Sequence, residues 1–598
     1  MRAAATPSLN LGVIGNCAVS ALVDLYGTVV WSCMPRVDGD PVFHSLLGAS
    51  EPGAGEFAIE IEDFARSEQH YADNTAVLRT TLWDTQGQAI EISDFAPRFL
   101  VRGRMYRPLM LVRRVRVLAG APRIVVRVKP RFAWGTVEPR LTQGSHHVRF
   151  VGPDQVLRLT TSAPLAFVLQ EQAFVVTEPV SLVLGPDESP DLAPDEMAEA
   201  YERETLQYWR QWVRRLALPL QWQDVVIRAA ITLKLCVHED TGAIVAALTT
   251  SIPEAPGSQR NWDYRFCWLR DAFFVVRALN SLSEVGTMED YLRWLRNAVS
   301  HAENGHVQPL YGVGLERHTV ESLVPGLPGY RGHGPVRRGN QAHEHFQHDV
   351  YGNIVLGAGQ SFHDRRLLHP AGEAEFRRLE AVGELAVRVH DQPDAGMWEL
   401  RTRTRVHTSS VLMCWAACDR LAKIARHLGL KSRAAYWYKH AKQIRERLLS
   451  GAWNEKRGAF VESLGGEGLD ASVLLMAEVG FIDPMDPRFV STVDALEAAL
   501  CDGPYMRRYE YPDDLGVPET AFNICSFWRL DVLARIGRRD QALAIFEAML
   551  AARNHVGLLS EDTHPVTGEM WGNFPQTYSM VGLINGAVRL SRPWESVI

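Results

Sequence analysis

Two acidic residues stand in settings that suit acid–base chemistry. Glu399 follows Trp398 in DQPDAGMWELR, and Glu561 follows Ser560 in GLLSEDTHPVTGEMWGNFPQ. A turn at Pro393, Asp394, Ala395 and Gly396 is expected to deliver Trp398 and Glu399 side by side, ahead of a helix from about Ser409. An apolar neighbour disfavours the charged form of a carboxyl group and raises its pKa. A general acid needs that treatment, because it must hold its proton at working pH. The plain alternative for Glu399 is an ion pair with Arg401 on a solvated loop. For Glu561, the candidate second carboxylate, it is a surface turn acid.

Three further groupings carry chemistry. In NWDYRFCWLRD, Trp262, Asp263, Tyr264, Arg265, Trp268, Arg270 and Asp271 crowd one loop-to-helix junction. Asp accepts, Arg donates and an indole covers an apolar face, so the set can clamp sugar hydroxyls. A capped helix with a structural ion pair is the alternative. In GNQAHEHFQHDVYGN, His343, His345 and His348 invite a metal reading, but HExxH is absent, so no metal is assigned and polar contacts on a helix face are expected. Further on, Arg507, Arg508, Tyr509, Asp513 and Asp514 precede Glu519, which is expected to open a helix; the acidic pair is placed to hold arginines or bind hydroxyls, and helix capping by Glu519 is the alternative.

These residues need a frame. At 598 residues the chain exceeds one compact domain, and with 46% hydrophobic and 22% charged residues it can bury a large core. A net charge of -7 offers no basic footprint for nucleic acid. The eight cysteines show no CxxC spacing, so neither a zinc site nor a disulfide framework is indicated. No apolar run is long enough for a membrane span, MRAAATPSLN does not read as a signal peptide, and a cytoplasmic location is the default.

Residues 1–194 read as short alternating or β-branched runs separated by turns, which suits an antiparallel β-sandwich. Residues 195–222 form a helical linker. From 223 to 598, twelve segments show three- and four-residue apolar spacing, as in an (α/α)6 barrel: 223–238, 270–283, 287–303, 341–362, 372–390, 409–428, 430–450, 469–479, 486–500, 519–537, 538–552 and 576–591. The first and last two carry little charge, as inner helices would; 430–450 has a charged outer face. The Gly- and Pro-rich insert 304–340 is long enough to be functional.

Six ordered blocks, NWDYRFCWLRD, LPGYRGHGPVRRGNQA, GMWELR, MCWAACDR, ETAFNICSFW and LLSEDTHPVTGEMWGNFPQTYS, resemble glycoside hydrolase family 15, the glucoamylase and bacterial trehalase family. The stretch IGNCAVSALVDLYGTVVWSCMPRVDGDPVF is similar to the trehalase-like β domain that precedes the bacterial barrels. The resemblance implies a barrel enzyme that inverts the anomeric carbon, with Glu399 as general acid and Glu561 as general base. It implies that Arg270, Asp271 and Trp268 hold the non-reducing glucose, with Arg508 near the same subsite. Trp262, Tyr264, Trp398 and Arg401 complete the expected substrate-binding set. Asn353, Ser410 and Met580 depart from the family pattern, which has Glu, Lys and His there, and bear on substrate rather than reaction. An α,α-trehalase is expected first and a glucoamylase-type α-glucosidase second. A non-catalytic carbohydrate-binding protein would lose one acid, and a phosphorylase would replace the base with phosphate donors; both acids are present. The expected partner is a small carbohydrate, no cofactor is required, and a homo-oligomer is left open.

Overall fold

In the computed structural model, residues 6–49, 51, 53–300 and 306–597 are described. The alternating runs of the N-terminal part form two antiparallel sheets. The first runs, in spatial order, Leu11–Gly15, Ser20–Asp24, Val29–Cys33, Glu56–Ile61, Arg123–Lys129 and Phe174–Val175, with Pro41–Phe43 paired onto Val29–Cys33. The second runs Arg140–Gln143, His147–Val151, Val156–Thr161, Val180–Pro186, Leu111–Ala119, Ala89–Phe95, Leu78–Asp84 and Phe64–Tyr71. Their inner faces share one core, with Phe57 and Ile59 from one sheet against Leu82, Ile90 and Ile92 from the other. Arg113 crosses it: its guanidinium pairs with Asp94 at 2.7 Å and donates to the carbonyls of Phe57 and Gly27, so a fully buried charge is satisfied on every side.

A short helix α1 (Leu165–Gln170) packs on the Arg123–Lys129 strand, and α2 (Pro194–Val213) leaves the sandwich with Trp209 fully buried. The helices that follow are α3 (Gln223–Leu235), α4 (Leu269–Ser281), α5 (Gly286–Ser300), α6 (Asp349–Gly359), α7 (Glu373–Val389) and α8 (Thr408–His427). Then come α9 (Lys431–Gly451), α10 (Leu475–Glu478, entered through the turn Ala471–Leu474), α11 (Pro487–Leu500), α12 (Asn523–Arg535), α13 (Arg539–Ala551) and α14 (Thr577–Leu590). Helices α4, α6 and α8 pack in sequence, the turn Ala471–Leu474 leading into α10 joins α8 to α12, α12 packs on α14, and α14 returns to α4, closing an inner ring. The others alternate with them outside, which is the (α/α)6 barrel. Between α6 and α8 the backbones nearly touch: a Cβ on Gly352 would lie 2.3 Å from the carbonyl oxygen of Met413, so only glycine fits.

Four expectations change. Helix α3 is an outer helix; its lack of charge reflects the β-sandwich lying over it, where Arg228 donates to the Thr75 carbonyl at 2.8 Å and the Cys17 thiol reaches the Lys234 carbonyl at 3.2 Å. Helix α13 is also outer, with Ala542, Ile545, Phe546 and Met549 as its buried stripe. Residues 341–348 are not α-helical, and the helix expected from 519 begins only at Asn523, after a short strand Ala521–Phe522; exposed Glu519 caps nothing. The end of the helix expected over 287–303 and the start of the 304–340 insert fall partly outside the described residues. Among the described residues, no helix is long and apolar enough to cross a membrane.

Candidate active site

The block NWDYRFCWLRD is held from two directions. The backbone N–H of Ser251, Ala247 and Ala246 donate to the carbonyls of Trp262, Tyr264 and Phe266, so residues 246–251 run beside 262–266 as a ladder. The β-sandwich grips the other side. Arg265 pairs with Asp263 at 2.7 Å, reaches the Gly39 carbonyl and the Cys33 thiol, and stands over the Trp134 ring. Trp268 then becomes the residue before α4, which places Arg270 and Asp271 in that helix's first turn.

These residues open onto a cavity of about 150 Å³ at the barrel end, lined by Trp262, Tyr264, Trp268, Arg270, Asp271, Trp398, Glu399, Arg401 and Arg508. Every substrate-binding residue expected from sequence is therefore on its wall, and so is Glu399. Further lining comes from Glu254, Arg260, Arg337, Asn340, His345, Tyr509, Asp513, Phe522, Gln576 and Tyr578. Glu561 lies just behind the wall, 1% exposed, and accepts a 2.7 Å hydrogen bond from the Tyr264 hydroxyl at Oε1.

Glu399 sits in a turn from Gly396 to Glu399, three residues later than the expected turn, and adopts the left-handed backbone region with φ 62°. A non-glycine residue there is strained and persists only where its surroundings hold it. Here Oε1 accepts from Trp268 Nε1 at 2.6 Å, Gln347 Nε2 at 3.2 Å and Arg270 Nη2 at 3.5 Å. The indole hydrogen-bonded to Glu399 is thus Trp268; Trp398 turns its N–H to Asp470 at 2.9 Å and packs near Tyr509, Phe522 and Trp528. Nor does Arg401 pair with Glu399. It makes a two-pronged pair with Glu321 at 3.1 and 2.7 Å. Tyr264 and Trp268 stand edge to face with centroids 5.4 Å apart, so one aromatic pair carries Glu561 on one ring and Glu399 on the other.

The electrostatics on the Glu561 side are unusual. Glu254, Glu561 and Asp562 are each no more than 1% exposed, and Arg508 is the cation among them, paired with Glu254. Burial, then the charge of Glu254, pushes Glu561 up to about 8, against the pull of Arg508 and the Tyr264 hydroxyl. Asp562 is raised by the same causes. Burial and then the Glu561 charge hold Tyr264 well above its ordinary value, so its hydroxyl stays a donor. Burial likewise pushes Asp271 up to about 7, with Arg270 opposing.

Several cavity polar atoms have unused hydrogen-bonding capacity. Among the described residues Arg508 Nε and the Tyr578 hydroxyl are buried without a hydrogen-bond partner, and Arg270 Nε and Asp271 Oδ2 meet only each other, as an ion pair 3.6 Å apart that is too long for a hydrogen bond. Buried polar atoms rarely stay unsatisfied, and this mix of donors and acceptors matches sugar hydroxyls, which do both. No three His, Cys, Asp or Glu side chains among the described residues cluster as a metal site would need. His343 contacts the Asn340 carbonyl at 2.9 Å, and the His348 backbone N–H donates to Asp394 at 2.7 Å. Asn353 and Ser410 donate to the buried acids Asp349 and Asp394, at 3.1 and 2.7 Å, and Met580 is fully buried in α14. All three departures from the family pattern are uncharged. Asp513 clamps Arg260 at 2.5 and 2.6 Å, while Asp514 accepts the Arg401 backbone N–H at 2.6 Å.

Glu254 and Gln347 were not singled out from sequence. For Glu254 a signal existed, a lone acid after proline in the otherwise uncharged TTSIPEAP. Gln347 lay within a block read for its histidines.

Comparison with known proteins places this geometry. Residues 221–588 match the model of glycosyl hydrolases family 15, and residues 2–178 match the trehalase-like N-terminal domain. A trehalase of Mycolicibacterium smegmatis is 32% identical, over 98% of this chain and 92% of its own length. A trehalase of Thermoplasma volcanium is 29% identical, over 97% of this chain and 93% of its own. A bacterial glucoamylase solved with acarbose shares the fold, with TM-score 0.68 at 13% identity over 98% of this chain and 94% of that one. On the family match and the full-length relatives, this chain belongs to glycosyl hydrolases family 15 and is a glycoside hydrolase.

Proposed function

We propose that this enzyme hydrolyses α,α-trehalose with inversion, Glu399 acting as general acid and Glu561 as general base. The observation that carries the assignment is the Tyr264–Trp268 pair, which holds one carboxyl group on each ring at a cavity with unsatisfied donors and acceptors. The full-length likeness to trehalases supports the choice of sugar.

Arg270, Asp271 and Trp268 seat the glucosyl unit to be transferred, with Arg508 and Tyr264 beside them. Trp262, Trp398 and Arg401 line the rest of the cavity. The three donors on Glu399 all address Oε1, so Oε2 is the oxygen that would carry the proton to be given. That proton passes to the bridging oxygen as the C1–O bond breaks and the ring gains oxocarbenium character. A water attacks C1 from the opposite face and loses its proton to ionised Glu561. The transferred unit leaves as β-glucose and the departing unit as α-glucose; a proton then returns to Glu399 and leaves Glu561. Tyr264 favours the ionised base by donating to it. The eight cysteines are free thiols, in keeping with the reducing cytoplasm, where we place the enzyme.

The test is glucose release from trehalose, maltose, isomaltose and maltooligosaccharides under one set of conditions. The reading requires trehalose to give the highest kcat/KM. A preference for maltooligosaccharides would replace it with a glucoamylase-type activity.

A further inference from the structure

The insert before α6 contributes one side chain that neither the acid–base pair nor the glucosyl clamp explains. Glu321 precedes the short strand Ser322–Leu323, which pairs with Arg337–Arg338. Its carboxylate accepts from Arg337 Nη1 at 2.9 Å and, two-pronged, from Arg401 at 3.1 and 2.7 Å. Glu321 is 13% exposed at its side chain, against 25% for Arg401 and 17% for Arg337. Both guanidinium groups stand over the Trp262 indole, at 4.4 Å for Arg401 and 5.6 Å for Arg337. Trp262 is itself fixed from below, its N–H donating to Glu254 at 2.9 Å. Arg337, Arg401 and Trp262 line the cavity.

We infer that Glu321 is a positioning residue for the seat of the departing sugar. Arg401 follows Glu399 by two residues, and a general acid stands on the side of the group that leaves. An arginine pair over an indole offers donors for sugar hydroxyls and a flat apolar floor. Two unpaired guanidinium groups so close would repel each other and swing towards water; one carboxylate bridging both holds them over the ring. The bridge also ties the insert to the loop that carries Glu399, so the departing-sugar seat and the acid share one support. Arg337 keeps a buried Nε with no hydrogen-bond partner among the described residues.

This inference deepens the trehalase reading and rests on it, and one assay separates the two. Trehalose needs the departing-sugar seat, whereas α-glucosyl fluoride needs only the glucosyl seat and the base, with little help from the acid. Glu321→Gln keeps the size and removes the charge. The expected result is a fall of about tenfold or more in the ratio of kcat/KM for trehalose to kcat/KM for α-glucosyl fluoride, carried mainly by KM for trehalose, as befits a lost charge-assisted contact. Glu321→Asp should recover part of that ratio. An unchanged ratio, whether both activities persist or fall together, overturns the inference. Should the parent enzyme leave trehalose intact and cleave maltose, the trehalase reading fails, and the same ratio taken with maltose still judges Glu321.

Discussion

Tyr264→Phe tests how the base is made. The substitution keeps the ring that packs edge to face on Trp268 at 5.4 Å, and so keeps the 2.6 Å link from Trp268 to Glu399. It deletes only the hydroxyl that donates to Glu561 at 2.7 Å. A hydrogen bond to a charged group contributes about 1.5–3 kcal/mol, and a tenfold change in an acid dissociation constant corresponds to about 1.4 kcal/mol. The donor favours the ionised form, so its loss raises the pKa of Glu561 by about 1–2. The sign for activity follows. The proposed base works ionised, so kcat/KM should rise with pH through the Glu561 pKa, already pushed up by burial and Glu254 to about 8. In Tyr264→Phe that ascending limb moves further to alkaline pH. At a fixed pH below the limb, the ionised fraction of the base falls in proportion to its dissociation constant, so kcat/KM drops about 10–100-fold and recovers as the pH is raised. The assay is kcat/KM for trehalose against pH for parent and variant. A limb that stays in place, or moves to acid, refutes the claim that Tyr264 acts through the ionisation of Glu561.

Glu254→Gln should move the same limb the other way, to acid by about one pH unit or more, because it removes the negative charge that raises Glu561 and releases Arg508 to stabilise it; the pH profile reads this directly. Glu399→Gln should lower kcat on trehalose by about 10²–10⁴-fold or more, with a much smaller loss on α-glucosyl fluoride, whose leaving group needs little protonation. Arg265→Met should lower the urea midpoint sharply, by an amount corresponding to about 3–5 kcal/mol, because it strands buried Asp263 and cuts the tie from the catalytic block to Gly39 and Cys33 in the β-sandwich.

What the sequence made readable was local. The spacing in SSVLMCWAACDR and in 430–450 marks helices within a residue or so of α8 and α9, because one apolar stripe and its periodicity lie within a single element. The blocks around Trp268, Glu399 and Glu561 were readable as places where polar and aromatic residues crowd a loop-to-helix junction. What was not readable depends on chain far away. The bareness of α3 comes from the sandwich that covers it, so a helix wheel alone mistakes it for an inner helix. The indole next to Glu399 in sequence faces Asp470, while the one that bonds it comes from residue 268. Glu254 and Arg508 meet across 254 positions, and Glu321 and Arg401 across 80; no spacing rule links such residues, because barrel closure brings them together. The stretch 341–348 kept a helical pattern of apolar residues but forms only a 3-10 turn over Gln341–Glu344, and beyond it the Gln347 side chain reaches Glu399 and Arg270.

The proposed inversion at a single carbon, with Glu399 and Glu561 acting from opposite faces of the sugar, is best followed by proton NMR of the glucose anomers in the first moments of trehalose cleavage, before mutarotation. Attack by water on one C1 yields β-glucose, while the departing unit keeps its own anomeric bond and emerges as α-glucose. The expected initial signals are therefore equal amounts of the two anomers. An initial product that is all α-glucose would mean retention at the attacked carbon, and would contradict the assignment of Glu561 as a base acting through water.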